Sequence, residues 1–236
     1  MKKKILILII LVILIFIGFL IFKHFKSNGN NAFSDEQIKD KYQNMFNSFT
    51  GTIMLLDKYD KGQKVTIEKL SDHEKIEIIK SLVDQNDYTD SKEKAEFNES
   101  IAKTRTIKKS VLVQKCKDYF DEECEFSDTM FIFPYNYKLE GDSYVGEAII
   151  AGMETNPGWD YKATTYSIED DKLSIKGIAF YYDFDKYCND EACTIVVDGA
   201  DYEHILDYKD SFTQLTVNFK KNRNGSYKFV NVKIGD

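Results

Sequence analysis

The sequence predicts an α+β protein in which an N-terminal transmembrane helix precedes an ectodomain of about three helices packed on a mostly antiparallel sheet. Three observations predict it. An apolar run of eighteen residues, Ile5 to Phe22, stands near the N-terminus. Apolar residues then recur at helical spacing over roughly the next hundred positions, and from about residue 129 the period falls to two, with turn residues between the runs. Helices first and strands after is the order expected of α+β rather than of alternating α/β folds. The order is divided as a cytoplasmic tail (1–4), the anchor (5–22), a linker (23–33) and an extracytoplasmic domain (34–236), helical over 34–128 and stranded over 129–236.

Within Ile5–Phe22 only Gly18 is not Ile, Leu, Val or Phe. A helix of this length spans roughly 27 Å, enough for a bilayer core. Its side chains favour insertion by about 5 to 10 kcal/mol. A cleaved signal peptide has a shorter apolar region ending in small residues, whereas this one ends Phe22-Lys23-His24-Phe25-Lys26, so an uncleaved signal-anchor is expected. Lys2, Lys3 and Lys4 precede the run and Lys23 and Lys26 follow it, which places the N-terminus in the cytoplasm and the large C-terminal part outside. Beyond residue 26 the chain carries 27 basic against 39 acidic side chains, a net of −12. With Arg105 and Arg223 the only arginines, that balance excludes nucleic acid as a partner, because phosphate neutralisation needs clustered cations.

Ser27–Asn31 reads as a polar linker. Ser34-Asp35-Glu36-Gln37 is a helix start, followed by the stripe Ile38, Tyr42, Met45, Phe46 and Phe49, which Gly51 is expected to interrupt. Ser71-Asp72-His73-Glu74 is a second capping box, with Ile76, Ile79, Leu82 and Val83 on one side of its helix. A third helix is expected near 104–120 from Leu112, Cys116, Tyr119 and Phe120, although Val111-Leu112-Val113 fits helix and strand alike. Hairpins are expected about Glu140-Gly141-Asp142, joining Met130–Leu139 to Tyr144–Ala151, and about Asp170-Asp171, joining Thr164–Ile168 to Leu173–Tyr182. Thr194–Val197 is a further strand. Asn222–Gly225 joins Leu215–Phe219 to Tyr227–Ile234, where Phe229-Val230 breaks the period of two. This order of helices and then a curved sheet is similar to the cone-shaped folds of membrane-anchored secretion and conjugation components, a likeness that carries no site residue.

The four cysteines, Cys116, Cys124, Cys188 and Cys193, form two close pairs downstream of the anchor, which suits disulfides in an oxidising compartment. Four cysteines allow three connectivities; the local pairs 116–124 and 188–193 are favoured because each closes when adjacent elements pack. A zinc site and reduced buried thiols are the alternatives, but the spacings C-x7-C and C-x4-C are not zinc knuckles.

Catalytic signatures are missing. The three histidines, His24, His73 and His204, form no H-E-x-x-H, and the chain has no G-x-S-x-G, P-loop or G-x-G-x-x-G. No catalytic or cofactor-binding residue and no cofactor is assigned. Asp183, Asp185, Asp190 and Glu191 form the densest acidic cluster; the default is a solvated loop around a disulfide, and calcium is the alternative. Trp159, the only tryptophan, sits with Tyr161 beside Pro157-Gly158; the pair is the candidate partner contact, against the plainer reading that Trp159 packs back on the sheet. Asn98-Glu99-Ser100 and Asn224-Gly225-Ser226 are glycosylation sequons. The expected protein is a cell-membrane, single-pass binding or assembly module. It meets the bilayer through Ile5–Phe22 and a protein or cell-envelope ligand through its domain; an anchored hydrolase with a carboxylate site is the alternative.

Overall fold

A computed structural model describes residues 36–54, 62–96, 98–149, 157–184 and 186–235 of the protein. The apolar run Ile5–Phe22, the Ser27–Asn31 linker and the Ser34 cap lie outside the described residues. No helix among the described residues is long and apolar enough to cross a membrane.

The first stripe forms helix α1 (Glu36–Met54), which buries Tyr42, Met45, Phe46 and Phe49. Gly51 does not interrupt it as expected. The Tyr161 ring passes 3.5 Å from where a Cβ would stand, so packing offsets the roughly 1 kcal/mol helix cost of glycine. Helix α2 (Asp72–Ser81) carries the full capping box, Ser71 accepting from the Glu74 amide while the Glu74 carboxylate accepts from the Ser71 amide. Ile78 and Ile79 are its fully buried side chains, while Ile76, Leu82 and Val83 pack at the margin. The ambiguous valines lie in helix α3 (Lys109–Phe120), which buries Leu112, Cys116 and Phe120; the helix begins five residues later than expected because 104–108 is a strand.

Among the described residues the strands form two antiparallel sheets and a ribbon, not one sheet. The larger sheet runs in the order β1 (Lys64–Thr66), β13 (Tyr227–Ile234), β12 (Thr213–Lys221), β10 (Lys172–Asp183), β9 (Gly158–Glu169), with β11 (Lys186–Cys188) beside the far end of β10. The smaller runs β2 (Tyr88–Asp90), β5 (Thr104–Lys108), β8 (Ser143–Ala148), β7 (Tyr135–Glu140), β6 (Thr129–Ile132), and β3 (Lys94–Ala95) with β4 (Asn98–Ala102) is the ribbon. Strands β1 to β5 therefore lie between the helices, in a stretch where helix was expected. They are short, and the longest show no clean alternation, which is why a period count passes over them.

The later hairpins fall near the expected turns, with three differences. Strand β9 begins at Gly158, six residues before the expected Thr164, so Trp159 and Tyr161 lie in the strand and not in a turn. Met130–Leu139 is divided at a cis Phe133–Pro134 peptide into β6 and β7. The broken period at Phe229-Val230 is a β-bulge: Asn218 faces Asn231 and Phe219 faces Phe229, so Val230 is the extra residue and turns outward. Thr194–Val197 is not a strand but contributes a single bridge between Cys188 and Val196.

The inner face of the larger sheet meets α1 through Leu173, Ile175, Ala179, Val217 and Phe219. Gly177 lies under the Phe46 ring, where any side chain would overlap that ring and the Lys162 carbonyl. This close approach lets α1 lie along β9, whose outer edge would otherwise be open. The Gln43 amide donates to the Tyr161 carbonyl at 3.1 Å and accepts from the Ala163 amide at 2.9 Å, replacing a neighbouring strand and blunting that edge. The buried Tyr135, Tyr137 and Tyr144 of the smaller sheet join the same core.

Candidate functional site

The outer face of the larger sheet divides into two halves. Along β10 the even-numbered side chains point outward, so Ile178 and Phe180 lie on this face and need cover. Cover comes from the chain between β11 and β12, here called the cap. Its Ile205 and Phe212 complete a second apolar cluster with Ile178 and Phe180, and Tyr187, Val197 and Tyr208 pack at its margin. The cap is held by the Cys188–Cys193 disulfide, one of the two expected pairs; the other, Cys116–Cys124, ties the end of α3 to the following loop. Both local pairings stand.

Asp190 shapes the cap's first loop. Its carboxylate accepts from the Thr194 hydroxyl at 2.6 Å and amide at 3.0 Å, and from the Ile195 amide at 3.3 Å. These bonds, the Thr194 hydroxyl first, hold the Asp190 carboxyl below its ordinary value. Glu191 accepts from Trp159 Nε1 at 2.7 Å, fastening the cap to β9. Asp183 closes the β10–β11 turn opposite Lys186, and Asp185 lies outside the described residues. Asp190 and Glu191, two of the acids named as a calcium alternative, are thus engaged in separate hydrogen bonds, and among the described residues no three His, Cys, Asp or Glu side chains gather as metal ligands.

Trp159 and Tyr161 part company. Trp159 sits edge-on to Tyr181 at 5.7 Å and remains partly exposed. Tyr161 is 9% exposed beneath α1, its hydroxyl buried without a hydrogen-bond partner among the described residues, and desolvation pushes its phenol up. Sequence spacing gave no means of separating them, since both are odd-numbered positions on one strand; Tyr161 is covered because its ring packs against Gly51 of α1.

Beside Trp159 the cap and the sheet enclose a groove of about 450 Å³, lined by Asp160, Phe180, Tyr182, Tyr187 and Tyr202. Tyr182 and Tyr187 lie 5.4 Å apart with tilted rings. Tyr202 is 54% exposed and takes the Lys162 ammonium over its ring at 4.8 Å. The cap also exposes Ile195, Val196 and Leu206. Tyr182, Tyr187 and Tyr202 were not singled out from the sequence; their separation along the chain hides the cluster. No protein-family model matches the chain, and neither does any curated protein or solved structure. The arrangement offers aromatic and apolar surface rimmed by charge, which suits recognition.

Proposed function

We propose that the chain is a single-pass, membrane-anchored extracytoplasmic protein that acts by binding or assembly and not by catalysis. The observation that carries the binding reading is the exposure of Ile195, Val196, Tyr202 and Leu206 on one disulfide-held cap that borders an aromatic groove. Several exposed apolar side chains on one short segment mark a surface suited to a partner. Two supports stand behind the location: the apolar run Ile5–Phe22 as bilayer partner, and two disulfides downstream of it, which suit an oxidising compartment. The tail of residues 1–4 is then cytoplasmic and the domain from residue 34 extracellular.

Two measurements test this. Protease added to intact cells is expected to remove the domain; protection that persists until lysis overturns the topology. A photo-cross-linking residue at Tyr202 in living cells is expected to capture a partner, and the same residue at Glu140, on a distant hairpin, is not. Equal capture at both positions removes the cap as the binding surface.

A further inference from the structure

The half of the outer face that the cap leaves open is basic. Cross-strand register places Lys64, Lys233, Thr216, Lys176 and Thr165 in one row across five strands. The next row is Thr66, Asn231, Asn218, Ser174 and Ser167, joined by bonds from Asn218 to Asn231 at 3.0 Å and from Ser174 to Asn218 at 2.6 Å. The last row is Lys228, Lys220, Lys172 and Glu169. Like charges stand directly opposite at Lys64–Lys233, Lys172–Lys220 and Lys220–Lys228, an arrangement that costs stability in an isolated sheet. Exposed pairs with Asp171 and Asp121 relieve Lys220 and Lys228. Lys64, Lys176 and Lys233 have no ion pair among the described residues. In a domain whose acids outnumber its bases, a face this rich in lysine needs a physical reason.

The cap supplies the opposite charge. Between residues 189 and 212 it carries seven acids, of which all but Asp190 (Glu191, Asp198, Asp201, Glu203, Asp207 and Asp210) are exposed, against the single lysine Lys209. Acidic cap and lysine rows thus lie side by side on one face, the cap raised and the rows flat. A partner of one sign, such as an anionic lipid surface, matches the rows and is repelled by the cap. A fitting partner must offer a basic and an acidic patch in the reverse order. A second copy, turned about a two-fold axis lying across the strands in the plane of contact, does so.

We propose that the chain dimerises through this face, the acidic cap of each copy resting on the lysine rows of the other. The inference rests on the reading of the cap as a binding surface and names its partner. Charge complementarity sets the orientation, and Ile195, Val196 and Leu206 on the cap supply apolar area. The open rows extend about 14 Å along the strands and about 19 Å across them. With a cap surface of similar extent, each copy offers about 500 Å², so the pair buries about 1,000 Å², the lower bound for a specific interface.

The full chain in detergent micelles tests this. Equal amounts of ¹⁴N- and ¹⁵N-labelled protein are treated with a carbodiimide, which joins touching carboxylates and amines. Mixed-isotope links from the 198–210 acids to Lys64, Lys176 or Lys233 are expected. A face-reversed variant (Lys176→Glu with Lys233→Glu) and a cap-reversed variant (Asp198→Lys with Glu203→Lys) should each lose inter-copy contact at least tenfold when alone. Mixed together they should regain the wild-type level, because each cap then meets a face of opposite charge; that recovery also shows that both variants fold. Same-isotope links only, or a mixture that stays monomeric, overturns the dimer. If the dimer fails while Tyr202 still captures a different protein in cells, the binding reading stands and only the identity of the partner is lost.

Discussion

Arg105 shows how much one side chain can organise. Its guanidinium donates to both Asp90 oxygens, at 2.6 and 2.8 Å, and lies 4.7 Å from the Tyr88 ring centre and 4.9 Å from that of Tyr135. The bond to Asp90, ahead of the other contributions, raises the arginine pKa further. A fork that pairs with a carboxylate while stacking between rings cannot be copied by an ammonium. Arg105→Lys is therefore expected to cost about 1–2 kcal/mol, read from urea unfolding; an unchanged midpoint would show the clamp contributes nothing. A second residue-scale effect concerns pH. His204 Nδ1 lies 3.0 Å from the Asp201 carboxylate, and that hydrogen bond lifts the imidazole above its ordinary value of 6.5. A raised folded pKa stabilises fully below 6.5 and the contribution fades as pH rises through the folded value. Asp201 is lowered by the same bond, so its contribution is present above 3.8 and lost as pH falls through its folded value. Titration followed by NMR should show His204 returning toward 6.5 in Asp201→Asn; if its midpoint does not move, the pair is not formed in solution.

At the scale of elements, the cap is held apart from the main core. It has its own small apolar cluster, one disulfide, the Asp190 bonds and the Glu191–Trp159 bond, while α1 is buried against the main core. Replacing Cys188 and Cys193 by serine removes a short ring worth about 2 kcal/mol of loop-closure entropy. The loss should be local: amide exchange is expected to quicken over residues 189–212 and to stay as it was in α1. Uniform acceleration through the whole domain would mean that cap and core unfold as one unit. The edge of β9 makes a related point, since the Gln43 side chain occupies the position of a missing strand and leaves the outer face, not the edge, as the accessible surface.

For the whole molecule, both sheets and all three described helices share one apolar core. A chain beginning at Ser34 is therefore expected to fold without the N-terminal residues and to melt cooperatively in buffer free of detergent. Persistent aggregation of that shortened chain would mean that residues 1–33 pack on the domain. Size-exclusion and a thermal melt suffice to decide.

Local signals were legible wherever the physics is local. The capping box at Ser71–Glu74, the stripe through Phe46 and Phe49, the Asn222–Gly225 turn and the pairing of near cysteines follow from backbone bonds, helical period and loop length, all of which depend on neighbours in the chain. The short strands between the helices were not legible, because strands of two to five residues have too few positions to show a period and exist through partners elsewhere. The same holds for the site. Trp159 was visible as an unusual residue beside an expected turn, whereas Tyr182, Tyr187 and Tyr202 meet only after the cap folds onto β10. The lysine face is the clearest case: Lys64, Lys176 and Lys233 are scattered along the chain and become neighbours only through the register of four strands. Sequence alone determined the class of the fold, the apolar run and the disulfides, since each depends on residues close together in the chain. Tertiary structure decided which aromatic rings stay exposed and which charges stand side by side, because burial and charge density are set by what the sheet brings across from other strands.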